Sequence, residues 1–285
     1  MQKKGLEVFM LKIIASEKTI NPGIYNLSPE AYHQSPRISR SSLMEFKRSP
    51  YHYWYKYINP DYKPEPATPA QIIGNALHTL ILEPNEFEKR YFVIPEFNKA
   101  TKQGKERWQK IKFELGSKET LTTNQYQTLQ AIAASLKKNN LATQLIENAE
   151  IEQSLYWDDP DTGILCKCRP DILRCNLVCD LKTAKDGSPR SFQYAAFDYG
   201  YYIQAAMVRE AIKQLKQKLI KDFLFLVIEK SAPYAISIYQ LDEASLDKGY
   251  QEFKTLLARY QQCLETNDWP AYSIQEISLP RYVLS

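Results

Sequence analysis

The chain has 285 residues, enough for one large domain or two small ones, and its 44% apolar content supplies material for a core. A charged fraction of 25% excludes wholesale disorder, and a net charge of +4 permits nucleic-acid binding without indicating it. No window approaches the length of a membrane span, and no export signal follows Met1-Gln2-Lys3-Lys4, so a cytoplasmic protein without a membrane partner is expected.

Residues 1–24 carry no strong periodicity and read as an N-terminal extension, leaving 25–285 as a single domain. Ser39, Ser41 and Ser42 offer hydroxyl caps for a short helix running through Phe46, and Ser49-Pro50 starts an aromatic-rich helix to Tyr57. Residues 59–69 hold four prolines and read as an extended connector. The spacing of Ile73, Leu77, Leu80 and Ile81 predicts a helix over 71–82, which Pro84 stops. A helical region over 105–115, 123–137 and 141–148 follows, then strands over 150–157, 163–169 and 176–182, the first two joined by the Asp/Pro/Gly loop at 158–163. A helix over 192–216 with a break near Gly200, strands over 222–229 and 235–240, and a closing helix over 243–265 complete the chain. This order predicts an α/β fold: a mixed central sheet flanked by helices, with a helical insertion.

Chemistry concentrates in Arg169-Pro170-Asp171 and, nine residues after Asp171, Asp180-Leu181-Lys182. Side chains alternate along a strand, so Asp180 and Lys182 project together while Leu177, Cys179 and Leu181 face the other way. If Pro170-Asp171 closes the preceding strand, Asp171 meets Asp180 across a hairpin. Two carboxylates there would hold a hard divalent cation such as Mg²⁺, and the amine would steer or activate a water. A salt-bridged surface hairpin would carry the same residues. Val178 and Leu181, which frame Asp180, argue instead for an internal strand, where carboxylates are costly unless paired.

Other candidates are weaker individually. Gly74 and His78 lie one turn apart on one helix face, where the glycine lets another backbone approach and the histidine reaches a metal; a satisfied core or surface histidine is the competing reading. Glu152, expected to alternate with Ser154 and Tyr156 on its strand, would fall near Asp171 as a third carboxylate or remain a solvated edge group. Gln204 lies in the helix expected to cross the sheet and is otherwise a surface amide. Arg37, Ser39, Arg40, Ser41, Lys47 and Arg48, followed by Tyr51, Tyr53, Trp54 and Tyr55, would suit phosphates and bases or form an ordinary charged packing face. Four of the five cysteines cluster as Cys166-x-Cys168 and Cys175-x₃-Cys179. That is not the usual metal pairing, and small buried core groups are the expected reading.

Taken together, Gly74-x-x-x-His78, Arg169-Pro170-Asp171, Asp180-x-Lys182 and the downstream Gln204 resemble the RecB-like branch of the PD-(D/E)XK nucleases, which implies a restriction-endonuclease-like core. The segments 156–171, 278–281, Leu82-Glu83-Pro84-Asn85-Glu86-Phe87 and Pro95-Glu96-Phe97-Asn98 are similar to RecE-like (exonuclease VIII) nuclease domains, from about Tyr25 onward. The resemblance implies Mg²⁺-dependent digestion of linear double-stranded DNA, 5′ to 3′, leaving 3′ overhangs for recombination by strand annealing. It implies two ions per site, with Mn²⁺ able to substitute. Asp171 and Asp180 match the metal-binding acids, with the Leu181 backbone carbonyl as a further ligand. Lys182 matches the water-positioning lysine, His78 a ligand of the second metal, and Glu152 an acid of less defined role. Ser39, Arg40, Ser41, Arg169 and Gln204 are expected to contact DNA. A ring-shaped homotetramer and a RecT-like annealing partner are implied as well. The family's usual Gln-x-x-x-Tyr is broken, because Val208 follows Gln204; Tyr201 or Tyr202 would have to supply the missing contact. A related endonuclease, a Cas4-like nuclease and a catalytically inactive DNA-binding module are the alternatives.

Overall fold

A computed structural model of the protein describes residues 20–98 and 100–279. Strand β1 (Gly23–Tyr25) opens the described chain, so ordered pairing begins two residues before the expected boundary. Residues 1–19 of the expected extension, and Pro280 and Arg281 of the motif at 278–281, lie outside the described residues. Helices α1 (Pro29–Gln34), α2 (Arg40–Arg48) and α3 (Pro50–Tyr57) follow. The Ser39 hydroxyl accepts the Ser42 N–H while the Ser42 hydroxyl accepts the Ser39 N–H, a reciprocal cap that starts α2 where the hydroxyl cluster predicts.

Helix α4 (Pro69–Leu82) begins on a Thr68 cap. Pro84 ends it as expected but also begins α5 (Pro84–Arg90), because proline's fixed φ and missing N–H suit the first helical position. Strands β2 (Tyr91–Ile94) and β3 (Glu119–Thr122) form an unexpected parallel pair around α6 (Lys102–Leu115), and α7 (Thr123–Lys138) and α8 (Asn140–Ile146) complete the insertion.

The strand predicted over 150–157 is two strands. β4 (Glu150–Ile151) ends at Glu152, whose φ of 52° breaks the pleat, and β5 (Ser154–Asp158) continues in a different sheet. β5 pairs with β1 and with β6 (Leu165–Cys168) in a three-stranded sheet, while β7 (Ile172–Leu173) crosses back to pair with β4. Pro170 sits at this crossing, where its lack of an N–H costs no ladder bond.

Strand β8 (Leu177–Ala184) leads through α9 (Pro189–Asp198) and α10 (Tyr201–Lys216) to β9 (Asp222–Glu229), then β10 (Ile236–Gln240) and the long α11 (Glu243–Thr266). The five-stranded sheet has the order β10-β9-β8-β7-β4, with β8 and β9 parallel and the other pairs antiparallel. Helices cover both faces. Val178, Phe223, Phe225 and Val227 pack against Ile203, Met207 and Ala211 of α10 and Phe253 and Leu257 of α11. Cys179, Leu181, Leu226 and Ile228, one position out of phase, pack against Leu77 of α4 and Leu129 and Ile132 of α7. Cys166 and Cys168 pack in one core and Cys179 in the other, whereas Cys175, expected to be buried with them, is exposed in the turn before β8 and accepts from Lys218 Nζ at 3.2 Å. Burial pushes the Cys179 thiol up to about 12.

Two helical glycines show where close approach matters. A Cβ on Gly249 of α11 would lie 2.3 Å from the Tyr202 carbonyl oxygen, so contact between α10 and α11 requires hydrogen there. A Cβ on Gly74 of α4 would meet nothing within 4 Å. We expect Gly249→Ala to lower stability in denaturant melts by roughly 1–3 kcal/mol through overpacking. Gly74→Ala should raise it by up to about 1 kcal/mol through helix propensity. Equal effects in both variants would contradict this packing.

Candidate active site

Strand β8 is interior to the sheet, and this is what buries Asp180 at 1% exposure. Its Oδ1 accepts a 2.7 Å hydrogen bond from Gln204 Nε2, and it forms an ion pair with Lys182, two residues along the same face. Lys182 Nζ also donates to Gln204 Oε1 at 3.1 Å and lies 4.4 Å from the centre of the Tyr201 ring. Gln204 thus fixes the Asp180–Lys182 pair from α10. The aromatic contact comes from Tyr201, while Val208 is fully buried.

Asp171 arrives by the register of β7 on β8. Ile172 pairs with Cys179, so Asp171, one step beyond the ladder, faces Asp180, but it does so by leading into the separate strand β7 and not by closing β6, which lies in the other sheet. Its Oδ2 accepts the Leu181 N–H at 2.6 Å and stands 3.6 Å from His78 Nδ1. His78 projects from α4 on the opposite side of the sheet from α10. Burial lowers its pKa, against the Asp180 and Glu152 charges and the Leu181 backbone, which favour the protonated form.

Glu152 reaches the site by a route that alternation did not predict. Its left-handed backbone turns the chain, its N–H donates to the Asp171 carbonyl at 3.0 Å, and its carboxylate accepts Arg169 Nε at 2.6 Å. Among the described residues, His78, Glu152 and Asp171 form the group able to hold a metal, with their donor atoms within 4.8 Å of one another. Asp180 is next to this trio rather than in it, engaged by Lys182 and Gln204.

The electrostatics show what the trio lacks. Burial, then the neighbouring Asp180 charge, holds the Asp171 carboxyl well above the usual carboxylate range. Burial, then Asp171, pushes Glu152 up to about 7 despite Arg169. A divalent cation bound here would add to the Arg169 and Lys182 charges and favour the ionised carboxylates. Two oxygen donors, an imidazole and an adjacent backbone carbonyl fit a hard or borderline divalent cation.

His78 and Glu152 of the trio border a cleft of about 1050 Å³. His78, Glu152, Arg169, Gln204, Ser39, Arg40 and Ser41 all line it, as does the open side of Gly74. Asp171, Asp180 and Lys182 sit behind this lining. Ser39 is committed to its cap, Arg40 donates to the Tyr199 carbonyl at 3.1 Å, and Ser41 remains exposed. Lys167 was missed by sequence reasoning. It is buried in the cleft wall, donates to the Tyr32 and Ser35 carbonyls at 2.7 and 2.6 Å, and is lowered to about 8 by burial and by Arg37. Its carbonyl partners are remote in sequence and leave no local signal.

An interior Asp-x-Lys strand, a facing acid and a helical histidine at the rim of a mixed sheet define a PD-(D/E)XK core. The chain belongs to the family described as "PDDEXK-like domain of unknown function (DUF3799)", whose model matches residues 39–277. A solved structure from Eubacterium rectale, described as a "putative exonuclease", is similar at TM-score 0.60 and 13% identity, covering 92% of this chain and 98% of that one. The structure of SSO0001 overlaps 70% of this chain and 96% of that chain at 17% identity, but its TM-score of 0.27 carries no argument. No curated protein matches the sequence. Among the described residues, no helix is long and apolar enough to cross a membrane.

Glu152 gives a pH prediction for the protein in chelator. A carboxyl with a raised folded pKa favours the fold while protonated in both states. That contribution is lost as pH rises from the unfolded value, near 4.5, through about 7. We expect Glu152→Gln to melt above wild type at pH 8 and to converge with it near pH 5. Melting curves whose separation is the same at both pH values would contradict the assignment.

Proposed function

We propose that the protein is a divalent-cation-dependent exodeoxyribonuclease acting on linear double-stranded DNA. It removes 5′-nucleotides in the 5′ to 3′ direction and leaves a 3′ single-stranded overhang. The observation that carries this reading is the His78–Glu152–Asp171 group beside the Asp180–Lys182 pair, at the wall of a cleft lined by Ser41, Arg40 and Arg169. The RecE-like segments support the polarity, Mg²⁺ as the cation with Mn²⁺ as substitute, a homotetrameric ring, and a RecT-like protein that loads on the exposed strand. Strand annealing during recombination is the process these features serve.

Asp171, Glu152 and His78 would hold the cation, with Asp180 and the Leu181 carbonyl adjoining. When bound, the cation neutralises charge on the phosphate oxygens and makes water more acidic. Lys182 cannot swing freely, since Asp180, Gln204 and the face of Tyr201 fix its amine, and it orients the attacking water. Attack in line at phosphorus breaks the P–O3′ bond, leaving a 3′-hydroxyl on the departing nucleotide, which keeps the 5′-phosphate it entered with, and a new 5′-phosphate on the remaining strand. Arg40 and Ser41, neighbours in the cleft lining, would contact the phosphates of the bound strand.

The test is digestion of linear duplexes labelled at either end. We expect 5′ label to be released first as mononucleotide with Mg²⁺, and nothing to be released in chelator. Asp180→Ala should lose at least about a hundred-fold in rate while still shifting linear DNA on a gel. Release starting at 3′ ends, or digestion that persists in chelator, would overturn the proposal.

A further inference from the structure

Three aromatic side chains stand in water beside the site without helping to build it. Tyr194, Phe197 and Tyr199, at the end of α9 and in the turn after it, are 63%, 61% and 59% exposed. Tyr194 and Phe197 share one helix face, three residues apart, while Phe192 and Ala196 bury the other. The turn is rigid. Gly200 has a φ of 66°, a Cβ on it would lie 2.4 Å from Met44 Sδ, and Arg40 Nη1 holds the Tyr199 carbonyl at 3.1 Å. An exposed apolar cluster held this firmly marks an interaction surface.

Its connections indicate what it meets. The Tyr199 ring lies 5.8 Å from that of Tyr201, which in turn carries the Lys182 amine at 4.4 Å. Arg40, in the cleft wall, has its guanidinium 5.9 Å from the Tyr201 ring. Phe197 stacks at 12° on Tyr202 and has the Lys47 amine 5.3 Å from its centre. That amine is itself paired with Glu252 at 2.7 Å, so among the described residues the free cation of the patch is on the Arg40 side. Flat faces therefore run outward from Lys182 to solvent with cations set beside them. A polyanion with planar bases matches that pattern, and a purely apolar protein partner does not.

We propose that Tyr199 and Phe197 form a stacking platform for unpaired bases of the DNA strand entering the cleft, with Arg40 beside its phosphates. This rests on the nuclease reading of the cleft and adds a surface that separates an opened end from an intact duplex. Aromatic faces accept any base, so the platform is indifferent to sequence.

The test is fluorescence anisotropy in chelator, where no cleavage occurs. The probes are a duplex with a short unpaired 5′ end, the same duplex with abasic sites in the unpaired nucleotides, and a blunt duplex. Wild type should bind the base-bearing end about 10-fold tighter than the abasic one. Tyr199→Ala with Phe197→Ala should abolish that preference and change blunt-duplex affinity less than about 2-fold, and Tyr199→Trp should restore it in part. Equal wild-type affinity for both ends, or a preference that survives the double substitution, would overturn the proposal. So would a change of sedimentation without a change of preference, which would make the patch a contact between copies of the chain. If wild type keeps the preference yet fails to digest the same duplex with Mg²⁺, the nuclease reading fails and the platform stands.

Discussion

Asp171, Asp180 and Glu152 bring three carboxyl groups together beside the apolar cores, where the Asp180 charge raises the cost of ionising Asp171, and Asp171 that of ionising Glu152. Burial in low dielectric is the larger cause for both Asp171 and Glu152, and the neighbouring charge adds to it. Much of the surrounding architecture can be understood as the handling of this charge. Lys182 and Gln204 take Asp180, the Leu181 N–H and His78 take Asp171, and Arg169 takes Glu152. These contacts leave His78, Glu152 and Asp171 converging on a single point.

The fold supplies those partners from opposite directions. Helix α4 brings His78 from one face of the sheet and α10 brings Gln204 and Tyr201 from the other, so the site lies where the sheet thins to the short strands β7 and β4. The left-handed turn at Glu152 serves the same end. It takes the chain out of the five-stranded sheet, and in doing so swings a carboxylate into the gap beside Asp171. A regular strand would have kept Glu152 in register on the pleat.

Much of this was legible in the residues. The alternation of Val178, Asp180 and Lys182 against Cys179 and Leu181 marks an interior strand with chemistry on one face, and Pro170 marks the end of the strand before Asp171. The glycine-spaced His78 and the hydroxyl cap of α2 also lie where local pattern puts them. The break at Glu152 was not legible, because a positive φ at glutamate leaves no compositional trace and apolar alternation continues around it. The β2–β3 pair was missed because parallel pairing of two four-residue strands depends on the intervening helix, not on either strand. Gln204, expected to contact DNA, lines the cleft. Its actual bonds to Asp180 and Lys182 depend on how α10 crosses the sheet, which no local signal sets.

Cation binding among His78, Glu152 and Asp171 must displace protons from the crowded carboxyls, and calorimetric titration with Mn²⁺ measures that displacement. In buffers of different ionisation heat at pH 6.5, the account predicts binding coupled to release of on the order of one proton per protein molecule, a release that falls in Glu152→Gln. Absence of binding, or binding with no proton released, would contradict it.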